Sequence, residues 1–110
     1  MNVGVCLRLF VAENRMHHHR PLYEWLLEEA RRSGIPGGTA FRAIAGFGQH
    51  GTLHEDGFFE LAGKLPVEVD FVAEESQAKA FLARLEDEHL HLFYSLDAVE
   101  FDRLGTRRAP

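Results

Sequence analysis

The stretch RPLYEWLLEEARRSGIP, residues 20–36, admits one regular structure and marks both of its ends. Pro21 falls in a first helical turn, where its missing N–H has no intrahelical bond to lose. Leu22, Trp25, Leu26, Glu29 and Ala30 then recur at spacings of three and four, and Tyr23 and Leu27 widen the stripe. Glu24 and Glu28 lie near the start and Arg31 and Arg32 in the last turn, an order that complements the helix dipole. Ser33 and Gly34 close the helix, Gly34 as a left-handed cap, and Pro36 keeps it from resuming.

The flanks read as strands. Residues 3–12, VGVCLRLFVA, have strand length, with Val3, Val5, Leu7, Leu9 and Val11 on one face and Cys6, Arg8 and Phe10 on the other. Residues 13–20, ENRMHHHR, form a polar loop. A second strand is expected over about 39–46, where Phe41, Ala43, Ala45 and Phe47 alternate with other residues before the chain runs into Gly46, Gly48 and Gly51. Phe58 to Leu61 suits a short hairpin arm. In the next strand, residues 67–72, Val67, Val69 and Phe71 face one way and Glu68 and Asp70 the other. Residues 74–87 form a second helix, with Ala78, Phe81, Leu82 and Leu85 as its buried stripe. A last strand spans 92–101, and His89 and His91 are surface residues ahead of it.

The order β-α-β-β-α-β specifies an α+β ferredoxin-like sandwich, with two helices on one face of a four-stranded antiparallel sheet. At 110 residues the chain is one domain, expected over 1–102, with 103–110 as a flexible tail. Pattern alone leaves open which face of the first strand meets the helices. Either choice leaves apolar groups on the bare face, so subunit association is expected to cover it.

Composition narrows the chemistry. A formal charge of −5 and a pI near 5.8 argue against a nucleic-acid backbone as the main partner. The lone Cys6 allows no intrachain disulfide, which fits a reducing compartment. No signal-peptide pattern and no long apolar run occur, so a cytoplasmic protein without membrane insertion is the expectation. There is no G-x-S-x-G elbow and no HExxH pair, and Cys6 lies inside a strand, so no residue set asks for catalysis. The acidic runs 74–75 and 86–88 bracket a helix and suit a solvated surface.

Two site readings remain. Gly46-Phe47-Gly48 and Gly51 either make a plain turn or let backbone N–H groups converge on an anion, with Arg20, Arg42, Arg8 and Lys64 as candidate cations. A small anionic effector would then meet Arg20, Arg42, Gly46, Gly48, Gln49 and His50. Alternatively His17, His18 and His19, with His50 or His54, hold a transition metal in a sensor or structural oligomer, His17 and His19 first among the three; imidazole suits zinc, nickel and copper. Adjacent histidines share one metal only if their loop is irregular.

RPLYEWL at 20–26, the turn Gly34-x-x-Gly37, Arg42-Ala43-x-x-Gly46-Phe47-Gly48, His54 and LPVEV at 65–69 together resemble a bacterial and archaeal family, domain of unknown function 190, grouped with the PII-like signalling proteins. The resemblance runs from about residue 5 to 101. It implies the ferredoxin-like fold, a compact homotrimer, and a small effector, often an adenine nucleotide, held between subunits. It also implies a signalling loop between the second and third strands, here residues 48–61, that contacts a partner such as a membrane transporter. Relatives commonly carry Lys where this chain has Arg20. The loop is short and lacks the tyrosine modification site of nitrogen-regulatory PII proteins, so glutamine-metabolism signalling is not implied.

Overall fold

The computed structural model describes residues 1–47 and 65–105. Its elements in chain order are β1 (Asn2–Ala12), β2 (Met16–His17), β3 (Arg20–Pro21), α1 (Leu22–Arg32), β4 (Gly38–Arg42), β5 (Pro66–Ala73), α2 (Glu75–Asp87) and β6 (Phe93–Phe101). Four of the strands make one antiparallel sheet in the order β4-β5-β1-β6. This is the ferredoxin-like β-α-β-β-α-β arrangement, with the long strand β1 central.

The register decides the face that pattern left open. Leu7, Leu9 and Val11 of β1 stand opposite Phe71, Val69 and Val67 of β5. All six are buried, together with Leu22, Trp25, Leu26 and Ala30 of α1 and Phe81 and Leu85 of α2. The odd-numbered face of β1 therefore meets the helices. Val3, near the start of the strand, stays exposed.

The even-numbered face is partly apolar and partly charged. Phe10 and Phe93 meet across β1 and β6 as a tilted pair with ring centroids 5.7 Å apart, and Phe41, Val72 and Phe93 are exposed. Among them Arg8 pairs with Asp97 and lies 3.4 Å from Glu68. Cys6 is buried here as a free thiol, and burial pushes its pKa up, so it is a packing residue and a poor nucleophile.

Both helix ends are closed by the same device. After α1, Ile35 N–H donates to Ala30 O and Gly34 N–H to Arg31 O, both at 3.1 Å, with Gly34 at φ 92° and Ile35 buried. After α2, Leu90 N–H donates to Leu85 O at 3.2 Å and His89 N–H to Glu86 O at 2.9 Å. There the left-handed position is held by His89, φ 60°, where glycine would be the unstrained choice.

Two expectations need correction. The second strand ends at Arg42, short of residue 46. Its partner β5 begins at Pro66, which has no N–H to donate, so the ladder stops with Ala43 N–H donating to Pro66 O at 2.9 Å. Within the polar segment 13–20 a small hairpin forms, pairing Met16 with Pro21 and His17 with Arg20. The 58–61 arm lies outside the described residues.

Candidate functional site

Three of the candidate effector residues, Arg20, Arg42 and Gly46, are described; Gly48, Gln49, His50 and His54 lie outside the described residues, as does the 48–61 loop. Arg20 lines an open depression of about 380 Å³, together with Glu24, Glu28, Arg31, Gly38 and Phe71 among others. Arg42 stands at the opposite end of β4, roughly 13 Å along the strand from Gly38. It donates to Glu13 Oε2 at 2.6 Å, and Glu13 N–H in turn donates to Leu65 O at 3.0 Å. Arg42 and Glu13 thus clasp the two chain ends from which residues 48–64 depart. Arg20 and Arg42 thus have different surroundings, one beside the depression at Gly38 and the other paired with Glu13. A side chain at Gly46 would meet Pro66 only at ordinary contact distance, 3.7 Å, so packing among the described residues does not demand glycine there.

A second group forms around Glu88, just past the end of α2. His17 Nε2 and His18 Nε2 each stand 3.0 Å from Glu88 Oε1. The other carboxylate oxygen, Oε2, accepts from Arg84 Nη1 at 2.8 Å. Arg84 also donates through Nε to Glu29 Oε2 at 3.0 Å and lies 5.8 Å from the Trp25 ring centroid. His17 packs edge-on against that same indole, centroids 4.6 Å apart. Hydrogen bonds from His18, Arg84 and His17 hold the Glu88 carboxyl down to about 2, well below its ordinary range. Glu88 and the His17 side chain are largely enclosed, whereas His18 is 60% exposed.

The sequence placed His17 to His19, chiefly His17 and His19, in a metal-binding set with His50 or His54. The folded chain brings His17 together with His18 and Glu88, and His19 is an exposed residue outside that group. The missed member is Glu88, which looks like surface in the run Glu86-Asp87-Glu88. Its side chain is only 19% exposed, because the helix end carries it under the hairpin. Nothing local in the sequence signals that meeting, since 71 residues separate Glu88 from His17.

Comparison with known proteins agrees with the architecture. The chain is 38% identical over 94 residues to a UPF0166 protein of Aquifex aeolicus (strain VF5), covering 86% of this chain and 89% of that one. It superposes with a TM-score of 0.60 on CPII, a nitrogen regulatory PII-like protein of Thiomonas intermedia K12 solved with ADP, AMP and bicarbonate. That match has 13% identity and covers 92% of this chain and 94% of CPII. A candidate PII-like signalling protein of Thermus thermophilus matches at TM-score 0.55 and 24% identity, with 90% of each chain covered. At these identities the two structures speak for the fold. The sequence profile of the family described as DUF190, Uncharacterized ACR, matches residues 4–101 and so spans nearly all of the sheet and both helices: the chain belongs to the DUF190 family.

Proposed function

We propose that the protein is a non-enzymatic, oligomeric PII-like regulator that binds a small anionic effector, an adenine nucleotide first among them, between subunits. The effector would meet Arg20, Arg42, Gly46, Gly48, Gln49 and His50, and its binding would signal to a partner protein through the 48–61 loop. The observation that carries this reading is the Arg42–Glu13 clasp at the base of residues 48–64. An anion arriving there competes with Glu13 for the guanidinium, so ligand charge is converted into a change at the root of the loop. The adenine-nucleotide choice is supported by the likeness to CPII, whose structure holds ADP and AMP.

The same geometry supports assembly. Arg20 shares a depression with Gly38, the first residue of β4, and Arg42 ends that strand, so a second subunit would complete a cradle that uses both arginines. The exposed Phe41, Val72 and Phe93 supply an apolar surface for that association, with a homotrimer as the favoured state. A membrane transporter is one kind of partner for the loop. Among the described residues no helix of the protein itself is long and apolar enough to cross a membrane.

The test is calorimetry with ATP, ADP, AMP and cyclic dinucleotides, run beside light scattering for subunit number. Binding should weaken on the order of ten-fold or more in Arg42→Ala, the loss of one charge-assisted contact. Glu13→Gln, which frees Arg42 from its clasp, should bind as well as the parent or better. No binding across the panel, or equal weakening by both variants, would count against the proposal.

A further inference from the structure

We propose that His17, His18 and Glu88 form a binding site for a divalent transition metal ion, zinc above all, with a fourth position open to solvent. Three potential ligand atoms already converge: one from each of His17, His18 and Glu88, all within 4.8 Å of one another. Ligands about 2.0–2.2 Å from a tetrahedral zinc stand about 3.3–3.6 Å apart. Each imidazole nitrogen is 3.0 Å from Oε1, so closing the shell around an ion needs shifts of only a few tenths of an ångström there.

Neighbouring residues rarely aim at one point, and the backbone shows how these two do. His17 pairs with Arg20 across a two-residue hairpin whose turn is His18 at φ 52° and His19 at φ 68°. Two consecutive left-handed residues define a type I′ turn, a position that favours Asn-Gly. Histidine tolerates this region better than most side chains but still bears a conformational cost. The turn brings both imidazoles against the same carboxylate oxygen. Together with His89, φ 60°, directly after Glu88, these are the three non-glycine residues with positive φ among those described. All three border one cluster.

The surroundings suit a ligand set. Arg84 occupies Glu88 Oε2 and leaves Oε1 facing the histidines, so the carboxylate is fixed as a one-oxygen ligand. Glu29 anchors Arg84 from behind, and Trp25 supports the His17 ring. Orientation of ligands by such outer contacts is characteristic of built metal sites. Two imidazoles and one carboxylate suit zinc, and the exposed His18 side leaves room for water as the fourth ligand. Two hydrogen bonds to Glu88, with no metal role, are the competing account of the same contacts.

Untagged protein, purified without a nickel column and stripped with chelator, should be dialysed against zinc sulfate and assayed for bound metal. One zinc per chain is expected, with ligand-field bands on cobalt substitution and a change in fluorescence of the single tryptophan beside His17. His18→Ala, at an exposed position, and Glu88→Gln should each weaken zinc binding by at least about ten-fold while circular dichroism stays unchanged. The double variant His50→Ala/His54→Ala should bind as the parent does. Failure to take up stoichiometric zinc would overturn the site, as would uptake indifferent to His18→Ala and Glu88→Gln or abolished by the His50/His54 pair. Nucleotide calorimetry in excess chelator reads the effector site separately, so either proposal can fail alone.

Discussion

His17 stands edge-on to Trp25, with ring planes 78° apart and centroids 4.6 Å apart, so the hairpin that follows β1 is seated on the first helix of the core. Trp25 is 8% exposed and touches both the hairpin and, through Arg84, the end of α2. Trp25→Ala should destabilise the fold by about 3 kcal/mol, within the range for deleting a large buried aromatic. Urea unfolding followed by far-UV circular dichroism measures this, since the chain has no second tryptophan to report by fluorescence. A loss below about 1 kcal/mol would mean that the hairpin and helix do not share this anchor.

Gly4 has a different constraint. A Cβ placed there would collide with the carbonyl oxygen of Ala73 and stand 2.8 Å from the Phe101 ring. The first neighbour is backbone of the adjacent strand and cannot rotate away. Gly4→Ala should therefore cost about 2 kcal/mol despite alanine's lower entropic penalty, the sign of an overpacked site. A neutral or stabilising result in chemical denaturation would contradict this strand approach.

His89 holds the left-handed position that closes α2, without glycine's freedom to do so. His89→Gly should stabilise the protein by about 0.5–1 kcal/mol, strain relief exceeding the added entropy of the unfolded chain. Gly34→Ala, at the equivalent position after α1 with φ 92°, should destabilise by a similar amount. The two substitutions have opposite signs because the same backbone geometry is imposed on opposite residue types. Thermal melts of both variants check the pair.

Asp70 makes stability depend on pH. Burial, helped by the neighbouring Glu68 carboxyl and opposed by Arg8, pushes its pKa from 3.8 up to about 6. Its Oδ1 is buried with no hydrogen-bond partner among the described residues. Between these two values the native chain holds more protons than the unfolded one, so Asp70's contribution to stability falls as pH rises from about 4 to 6. Asp70→Asn should flatten that part of the profile and stabilise at pH 7 by on the order of 1 kcal/mol, allowing for partial exposure. A profile unchanged by the substitution would show that the carboxyl is not desolvated in solution.

Much of this protein is legible from local pattern. The spacing of Leu22, Trp25, Leu26 and Ala30, with Gly34 after them, specifies α1 and its C-terminal end, and the alternation of Val67, Val69 and Phe71 specifies β5. Element order then leaves few ways to assemble a four-stranded sheet with two helices, and the motifs around Pro21, Gly46 and Pro66 carry the family likeness. These features survive as read because each depends on residues within a few positions of one another.

Other features required the folded chain. β1 is apolar on both faces, so only packing against α1 and α2 could choose Leu7 and Leu9 over Cys6 and Phe10 for the interior. β4 stops at Arg42 because its distant partner begins with a proline. The His17–His18–Glu88 cluster joins a turn to the end of a helix 71 residues later in the chain, through two left-handed residues that composition does not foretell. Sequence alone determined the four sheet strands, the two helices and their order, though not the hairpin at 16–21 or where the second strand ends, because periodicity and end signals act over short range. Tertiary structure alone decided which faces and which side chains meet, because those contacts exist only after the sheet has brought remote segments together.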